Sequence, residues 1–286
     1  MANLREIRKR LASIKKTQQI TRAMKLIAAV KLQRAQERVT AFRPYADKID
    51  ELVGSLVYRL PSPVHPFLRP GSASRVLFLV LTSDRGFCGS FNTNIFREVD
   101  SLFRAPEREE TSLLIIGRKG SDYFRRRAYP IEKEWVGISD DLDYPRAVEI
   151  TSEIIVSYLK GSYREINLVY NEFKSAFSRR VLIKRLLPLE PKEAKEGTPY
   201  IDYLYEPSRE VIVQELLPKQ VETQTYRTFL ESTASEHGAR MIAMDSATSN
   251  ATEMIDRLTL DLNRARQEAI TKELMDIIGG AEALRG

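Results

Sequence analysis

A seven-residue apolar repeat begins at Leu4 and Ile7 and runs without a slip for eight heptads. Its first seam position reads Leu4, Leu11, Gln18, Lys25, Leu32, Val39, Ala46, Val53 and Leu60; the second reads Ile7, Ile14, Thr21, Ala28, Ala35, Phe42, Ile49 and Leu56. Two apolar positions in seven form a stripe too narrow to lie on a broad core, so the pattern predicts one helix of a coiled coil. Pro44 should kink this helix rather than end it, because the frame continues beyond it. At 1.5 Å per residue such a helix is about 85 Å long and needs a partner of similar length.

The other end of the chain supplies one. After EPSRE, the residues Leu230, Ala234, His237, Met241, Met244, Thr248, Ala251, Ile255, Leu258, Leu262, Ala265 and Ala269 recur at spacings of four and three, and the stripe then drifts to Ile270, Leu274 and Ile277. Residues 1–60 and 209–284 are therefore expected to pair as an antiparallel two-helix coiled coil, with both termini at its far tip.

Between them the pattern changes. Strand-like runs at 76–82, 113–117, 131–136, 165–173 and 181–189 alternate at first with helical stretches near 93–104, 119–127 and 145–159. This alternation predicts an α/β head over 75–190, Rossmann-like, with a mainly parallel sheet and helices on both faces. Proline and glycine mark 62–74 and 190–199 as loops.

Bulk properties exclude several classes. No window approaches the 18 or so apolar residues of a spanning helix, and MANLREIRKR has charge with no apolar stretch behind it. The single cysteine, Cys88, cannot form an internal disulfide. His65 and His237 lack companions at ligand spacing, so no metal is expected. Charge is uneven: residues 1–43 hold twelve Lys/Arg against Glu6 and Glu37, about +10, while the rest sums to about −4. Such an arm can face nucleic acid, an anionic membrane or an acidic protein. Its basic residues share helical turns with Leu4, Ile7, Leu11 and Ile14 and carry no interleaved aromatics, so a solvated face or an acidic protein partner fits better than nucleic acid.

The stretch TSDRGFCGSFNTN, Thr82 to Asn94, follows an apolar run and opens a helix, where α/β proteins often hold phosphate. A nucleotide-binding enzyme using this turn is thus a candidate. The phosphate-binding spacings require more glycines, or a Lys-Ser/Thr pair, than Gly86 and Gly89 supply. The residues Asp84, Arg85, Gly86, Cys88 and Gly89 read instead as a tight structural turn in which the glycines take positive φ and Cys88 is a buried thiol without a base. In mid-seam, Gln18, Thr21, Lys25, Ala28 and Ala35 face a strip that includes His237, Thr248 and Ala251. Small and polar seam residues weaken a coil; the chain either tolerates poor layers or keeps the coil slim to present Met24, Ile27, Arg266 and Gln267 outward.

The blocks IRKRLASIKKTQQITRAMKLIAAVKLQRAQ, TSDRGFCGSFN, YLYEP, ARMIAMDSATSNA and LNRARQEAITKELMDIIGGAEAL together resemble the gamma chains of bacterial F-type ATP synthases, in order from Ala2 to Leu284. The resemblance implies a non-catalytic rotor shaft, with no cofactor, whose helices turn inside a ring of alpha and beta subunits. Its head then sits on the membrane c-ring beside the epsilon subunit, peripheral to the cytoplasmic face of the inner membrane, one copy per complex. It implies that Met24, Arg266, Gln267 and Thr271 meet the alpha/beta ring, and that Tyr203 and Glu206 meet the c-ring and epsilon. Two positions depart from the family pattern: Ser90 stands where a second glycine is usual, and Gly238 where alanine is. The lone Cys88 leaves no pair for the thiol control of the chloroplast form.

Overall fold

The computed structural model describes residues 4–58, 65–104, 110–139, 142–175, 179–190, 205–206 and 208–283. Five strands form one sheet: β1 (Val76–Leu81), β2 (Thr111–Ile116), β3 (Ile131–Trp135), β4 (Glu165–Phe173) and β5 (Arg179–Leu187), in the order β3-β2-β1-β4-β5. The pairs β1–β2, β1–β4 and β2–β3 are parallel. The pair β4–β5 is antiparallel, because the few residues between Phe173 and Arg179 are too short for the crossover that a parallel return needs.

Strand β1 reads VLFLVL and is buried throughout, as a central strand covered on both faces must be. Its alternate side chains enter different cores. Val76, Phe78 and Val80 pack with Phe91, Ile95 and Val99 of α2 (Phe91–Arg104) and Phe124 of α3 (Arg118–Arg125). Leu77, Leu79 and Leu81 pack with Ala147, Ile150 and Ile154 of α4 (Tyr144–Leu159). The same cluster includes Val53, Leu56 and Val57 of α1 (Leu4–Tyr58) and Val213, Leu217, Val221 and Phe229 of α5 (Arg209–Ala283). Asp143 starts α4 by accepting the Arg146 N–H at 3.0 Å, with Pro145 in the first turn.

Two compact units are present: Met1–Ala28 with Met241–Gly286, and Ala29–Arg240. In the first, α1 and α5 run antiparallel, with Gln18 donating to Thr252 at 2.8 Å and Lys25 to Asp245 at 2.6 Å. The Thr21 and Thr248 hydroxyls meet between them at 2.8 Å. Ile7, Thr21, Ala28, Met244 and Ala251 are its buried seam residues. In the second unit the helices are again antiparallel, tied by Arg227 to Asp47 at 2.7 Å and Gln220 to Asp50 at 2.6 Å. Pro44 lies inside α1, and Leu32, Ala35, Val39, Ala46, Val53 and Leu56 are buried on both sides of it, so the heptad frame survives the proline. Leu60 falls outside the described residues.

Between Gln220 and His237, α5 buries far more than a stripe: Thr223, Thr225, Thr228, Ser232 and Ser235 join Phe229 and Ala234 inside. Small hydroxylated side chains let a helix lie close to its neighbours, and Thr225 and Thr228 return their hydroxyls to Val221 and Gln224 carbonyls at 2.9 Å.

Gly117 joins β2 to α3 at φ 100, and a Cβ there would meet the Thr82 carbonyl oxygen at 2.1 Å. The obstacle is backbone and cannot rotate away. Gly117→Ala is expected to cost more than about 2 kcal/mol, read as a lowered midpoint in denaturant unfolding with an unchanged slope.

Candidate functional site

The chain leaves β1 toward β2 and β3 on one side, then returns to β4 on the other. This reversal opens a crevice at the carboxyl ends of β1 and β4, where doubly wound sheets bind ligands. The turn from Thr82 to Asn94 lies there.

Its polar groups are committed to holding the turn. Thr82 donates its hydroxyl to the Ile116 carbonyl at 2.8 Å and accepts the Gly120 N–H at 2.9 Å. Ser83 and the buried Asn92 form a reciprocal pair: the Ser83 N–H reaches Asn92 Oδ1 at 3.0 Å, and Asn92 Nδ2 returns to Ser83 Oγ at 2.8 Å. Asn171 fixes the start of α2 by donating to the Phe91 carbonyl at 3.1 Å. Asp84 gathers three separate segments. Its carboxylate accepts the N–H groups of Arg118 at 2.9 Å, Gly137 at 2.8 Å and Ser139 at 3.0 Å, with the Ser139 hydroxyl as a fourth donor. Burial alone would raise its pKa, but hydrogen bonds from Ser139, Gly137 and Arg118 outweigh burial and hold the carboxyl below its ordinary range.

Of the two turn glycines, Gly89 has positive φ, 57°, whereas the second left-handed position is Phe87 at 61° and not Gly86. The expectation for Gly86 is corrected: the bend is displaced by one residue, and it turns the Phe87 ring outward, 72% exposed. Cys88 is buried, its sulfur 3.3 Å from Asn92 Nδ2, and burial pushes its thiol pKa up. A thiol held protonated in this way is a weak nucleophile.

Helix α5 packs against this turn. Arg240 directs Nη2 to the Arg85 carbonyl and Nε to the Gly86 carbonyl, both at 3.4 Å, while Nη2 also meets Glu236 at 2.7 Å. The side chains of Arg240 and Glu236 are only 12% and 10% exposed. Ala239 packs in the core shared by α2 and the sheet. Toward α5 the turn therefore presents carbonyl oxygens capped by a guanidinium, whereas a phosphate needs N–H donors. Sequence reasoning missed Arg240, because 154 residues separate it from Gly86 and only the fold joins them.

At the other candidate surface, Met24 is half-buried against the helix pair, and Arg266, Gln267 and Thr271 are exposed. α1 begins at Leu4, and Ile7 lines the same groove as Leu258 and Ala265. Past Ala265 every described side chain of α5 through residue 281 is exposed, including Ile270 (46%), Leu274, Met275, Ile277 (67%) and Ile278. Glu206 is exposed; Tyr203 lies outside the described residues.

A mainly parallel sheet, a β1–α2 turn capped by Arg240 of the protein's own α5 and two long antiparallel terminal helices define an α/β protein with a terminal helix pair. A family profile described as ATP synthase matches residues 3–284. Relatives named ATP synthase gamma chain include those of Geobacter sp. (strain M21), 46% identical over 288 residues that cover both chains completely, and Anaeromyxobacter sp. (strain Fw109-5), 47% identical over 291 residues with the same coverage. Among solved structures, the central stalk and c-ring of the Tetrahymena thermophila mitochondrial ATP synthase contains a chain 28% identical, with TM-score 0.60, over 80% of this chain and 99% of that one. A chain of the Euglena gracilis mitochondrial ATP synthase shares the fold at TM-score 0.70 and 20% identity, over 98% of this chain and 94% of that one. This chain belongs to the family of ATP synthase gamma chains.

Two outcomes follow for the turn. Asp84→Ala strips acceptors from three backbone N–H groups and is expected to cost about 2 kcal/mol. Because the folded pKa is depressed, the carboxylate's contribution is full above its unfolded value of about 3.9 and is lost as pH falls through the folded value. The wild-type advantage over Asp84→Ala should therefore shrink below about pH 4, as measured by urea unfolding across pH. Arg240→Met deprives two carbonyls and a carboxylate of a charged donor and should lower stability by about 2 kcal/mol, with thermal unfolding as the readout.

Proposed function

We propose that this chain is the central rotor shaft of a proton-driven ATP synthase, a non-catalytic subunit that carries torque between the membrane c-ring and a hexamer of alpha and beta subunits. The carrying observation is the outer end of α5, where an exposed apolar stretch from Ile270 to Ile278 has no covering helix among the described residues. That surface suits a sleeve supplied by other subunits. Thr271 stands on it and Arg266 and Gln267 just before it, and Met24 lies on α1; all four are assigned to the alpha/beta ring. The basic arm, about +10 over residues 1–43, suits an acidic surface on that ring. Exposed ion pairs are individually worth about 0 to 1 kcal/mol, so such contacts can guide a turning shaft without locking it. Tyr203 and Glu206 are assigned to the c-ring and epsilon subunit.

Torque needs a stiff joint between helices and head. In the unit Ala29–Arg240, Val53, Leu56, Val221 and Phe229 share one core with β1 and β4, so rotating the sheet against these helices would break close packing. No described helix is long and apolar enough to cross a membrane. Attachment at the cytoplasmic face through the c-ring, one copy per complex, belongs to the same assignment.

Reconstitution with alpha and beta subunits tests the reading. A label on the head should turn in steps during ATP hydrolysis, and cooperative turnover at all three beta sites without this chain would end the coupling role. Calorimetry on the purified chain should give no binding heat with adenine or guanine nucleotides.

A further inference from the structure

A cleft of about 240 Å³ lies between α1, α5 and β5 within the unit Ala29–Arg240, and shares no lining residue with the turn. Its polar side is a directed chain of hydrogen bonds. The Lys184 ammonium donates to Gln224 Oε1. Gln224 Nε2 donates to Asp50 Oδ1 at 3.1 Å, and Gln220 Nε2 donates to the same oxygen at 2.6 Å.

The charged groups fix both amides. Turning Gln220 over would bring two acceptor oxygens to 2.6 Å, and turning Gln224 over would set its NH₂ against an ammonium. Gln220 Oε1 therefore stays where it is. Gln220 is 3% exposed, and this oxygen accepts no hydrogen bond. Buried acceptors normally have a donor, and this orphan belongs to a residue that lines the cleft.

The remaining walls limit what the donor can be. Val53, Val57, Leu186 and Leu189 supply an apolar lining. The charged lining residues balance in number, Asp50 and Glu190 against Lys184 and Arg185, and Arg185 meets Glu190 at 2.5 Å. An added ion would leave one charge unmatched in a half-buried place. Water fills small polar cavities readily, but water does not use the apolar wall.

We propose that this cleft binds a small neutral molecule consisting of a short branched aliphatic body and one N–H or O–H donor, a primary amide or an alcohol, with the donor on Gln220 Oε1 and the body against Val53, Val57 and Leu186. Occupancy ties α1, α5 and β5 together at one joint, so the ligand stiffens the connection between the long helices and the sheet.

Isobutyramide is the probe, with N,N-dimethylisobutyramide as the matched molecule that has no donor. The full-length chain, labelled at glutamine side-chain amides and at leucine and valine methyl groups, is titrated by NMR. Isobutyramide should shift the Gln220 and Gln224 amides and the Leu186 methyls along one saturating curve in the millimolar range, and the dimethyl compound should bind at least tenfold more weakly. Gln220→Leu should weaken isobutyramide at least tenfold, read on Gln224 and Leu186. Equal binding of the two compounds overturns the proposal, as does a linear response without saturation, which means that the cleft holds water only. Unchanged affinity in Gln220→Leu also overturns it. Should that variant fail to fold, the comparison of the two compounds on the wild-type chain decides alone. None of these readouts requires the other subunits, so failure here leaves the shaft assignment intact.

Discussion

One face of the five-stranded sheet is dry because the terminal helices lie on it. The crossover helices α2 and α3 cover the face of Val76, Phe78 and Val80, but on the opposite face α4 is a single helix against the inner side chains of β1, β4 and β5. The missing cover comes from α1 and α5, which place Val53, Leu56, Val213, Leu217, Val221 and Phe229 in the same cluster as Leu79 and Leu168. At about 1.5 to 3 kcal/mol for each buried apolar side chain, uncovering these six would cost about 10 to 15 kcal/mol, as much as the stability margin of an ordinary domain. Head and helix roots are therefore one folding unit, and the sheet does not stand without the chain's two ends.

The requirement explains the unusual writing of α5 from Gln220 to His237. A helix that must meet the sheet cluster, α1 and the β1–α2 turn has little face left for solvent. Its sequence uses threonine and serine where leucine would hold neighbours apart, and the hydroxyls are returned to the helix's own carbonyls. The buried Glu231 is compensated at short range by the half-buried Arg227, which is shared between Glu231 at 3.1 Å and Asp47 at 2.7 Å. Burial raises the Tyr170 phenol well above its ordinary range, with the nearby Glu231 carboxylate adding to the effect.

How much of this was legible depended on the range of the interaction. Apolar runs at VLFLVL and INLVY declared themselves strands because a strand covered on both faces has no polar positions. The heptad frame of α1 named Ala28, Leu32, Val39 and Val53 as inward because helical period is a local property. The direction of β5 was not readable in RRVLIKRLL, since pairing sense is set by the length of the connection and not by the strand. The polar burial of α5 resembled a solvent face, because Thr and Ser carry no local mark of what will cover them. At the turn, the spacing of Gly86 and Gly89 argued against a phosphate loop and misplaced the left-handed residue, which φ 61 at Phe87 reveals. The partner of the turn, Arg240, lies beyond any window that periodicity can scan.

The capped turn connects these observations. In a doubly wound sheet the carboxyl ends of the strands at the order reversal form the natural place for a ligand, because the diverging crossovers leave a gap there. Here the turn that follows β1 is capped by a side chain of the protein's own α5, and the carbonyls of Arg85 and Gly86 receive their donors from Arg240. The fold thus keeps its geometry while the site becomes a joint. A joint of this kind resists twisting at two depths, through the apolar cluster on one face of the sheet and through the guanidinium at its edge. Because the two lie on different segments of α5, neither alone can act as a hinge, and the head and the roots of the helices move as one body.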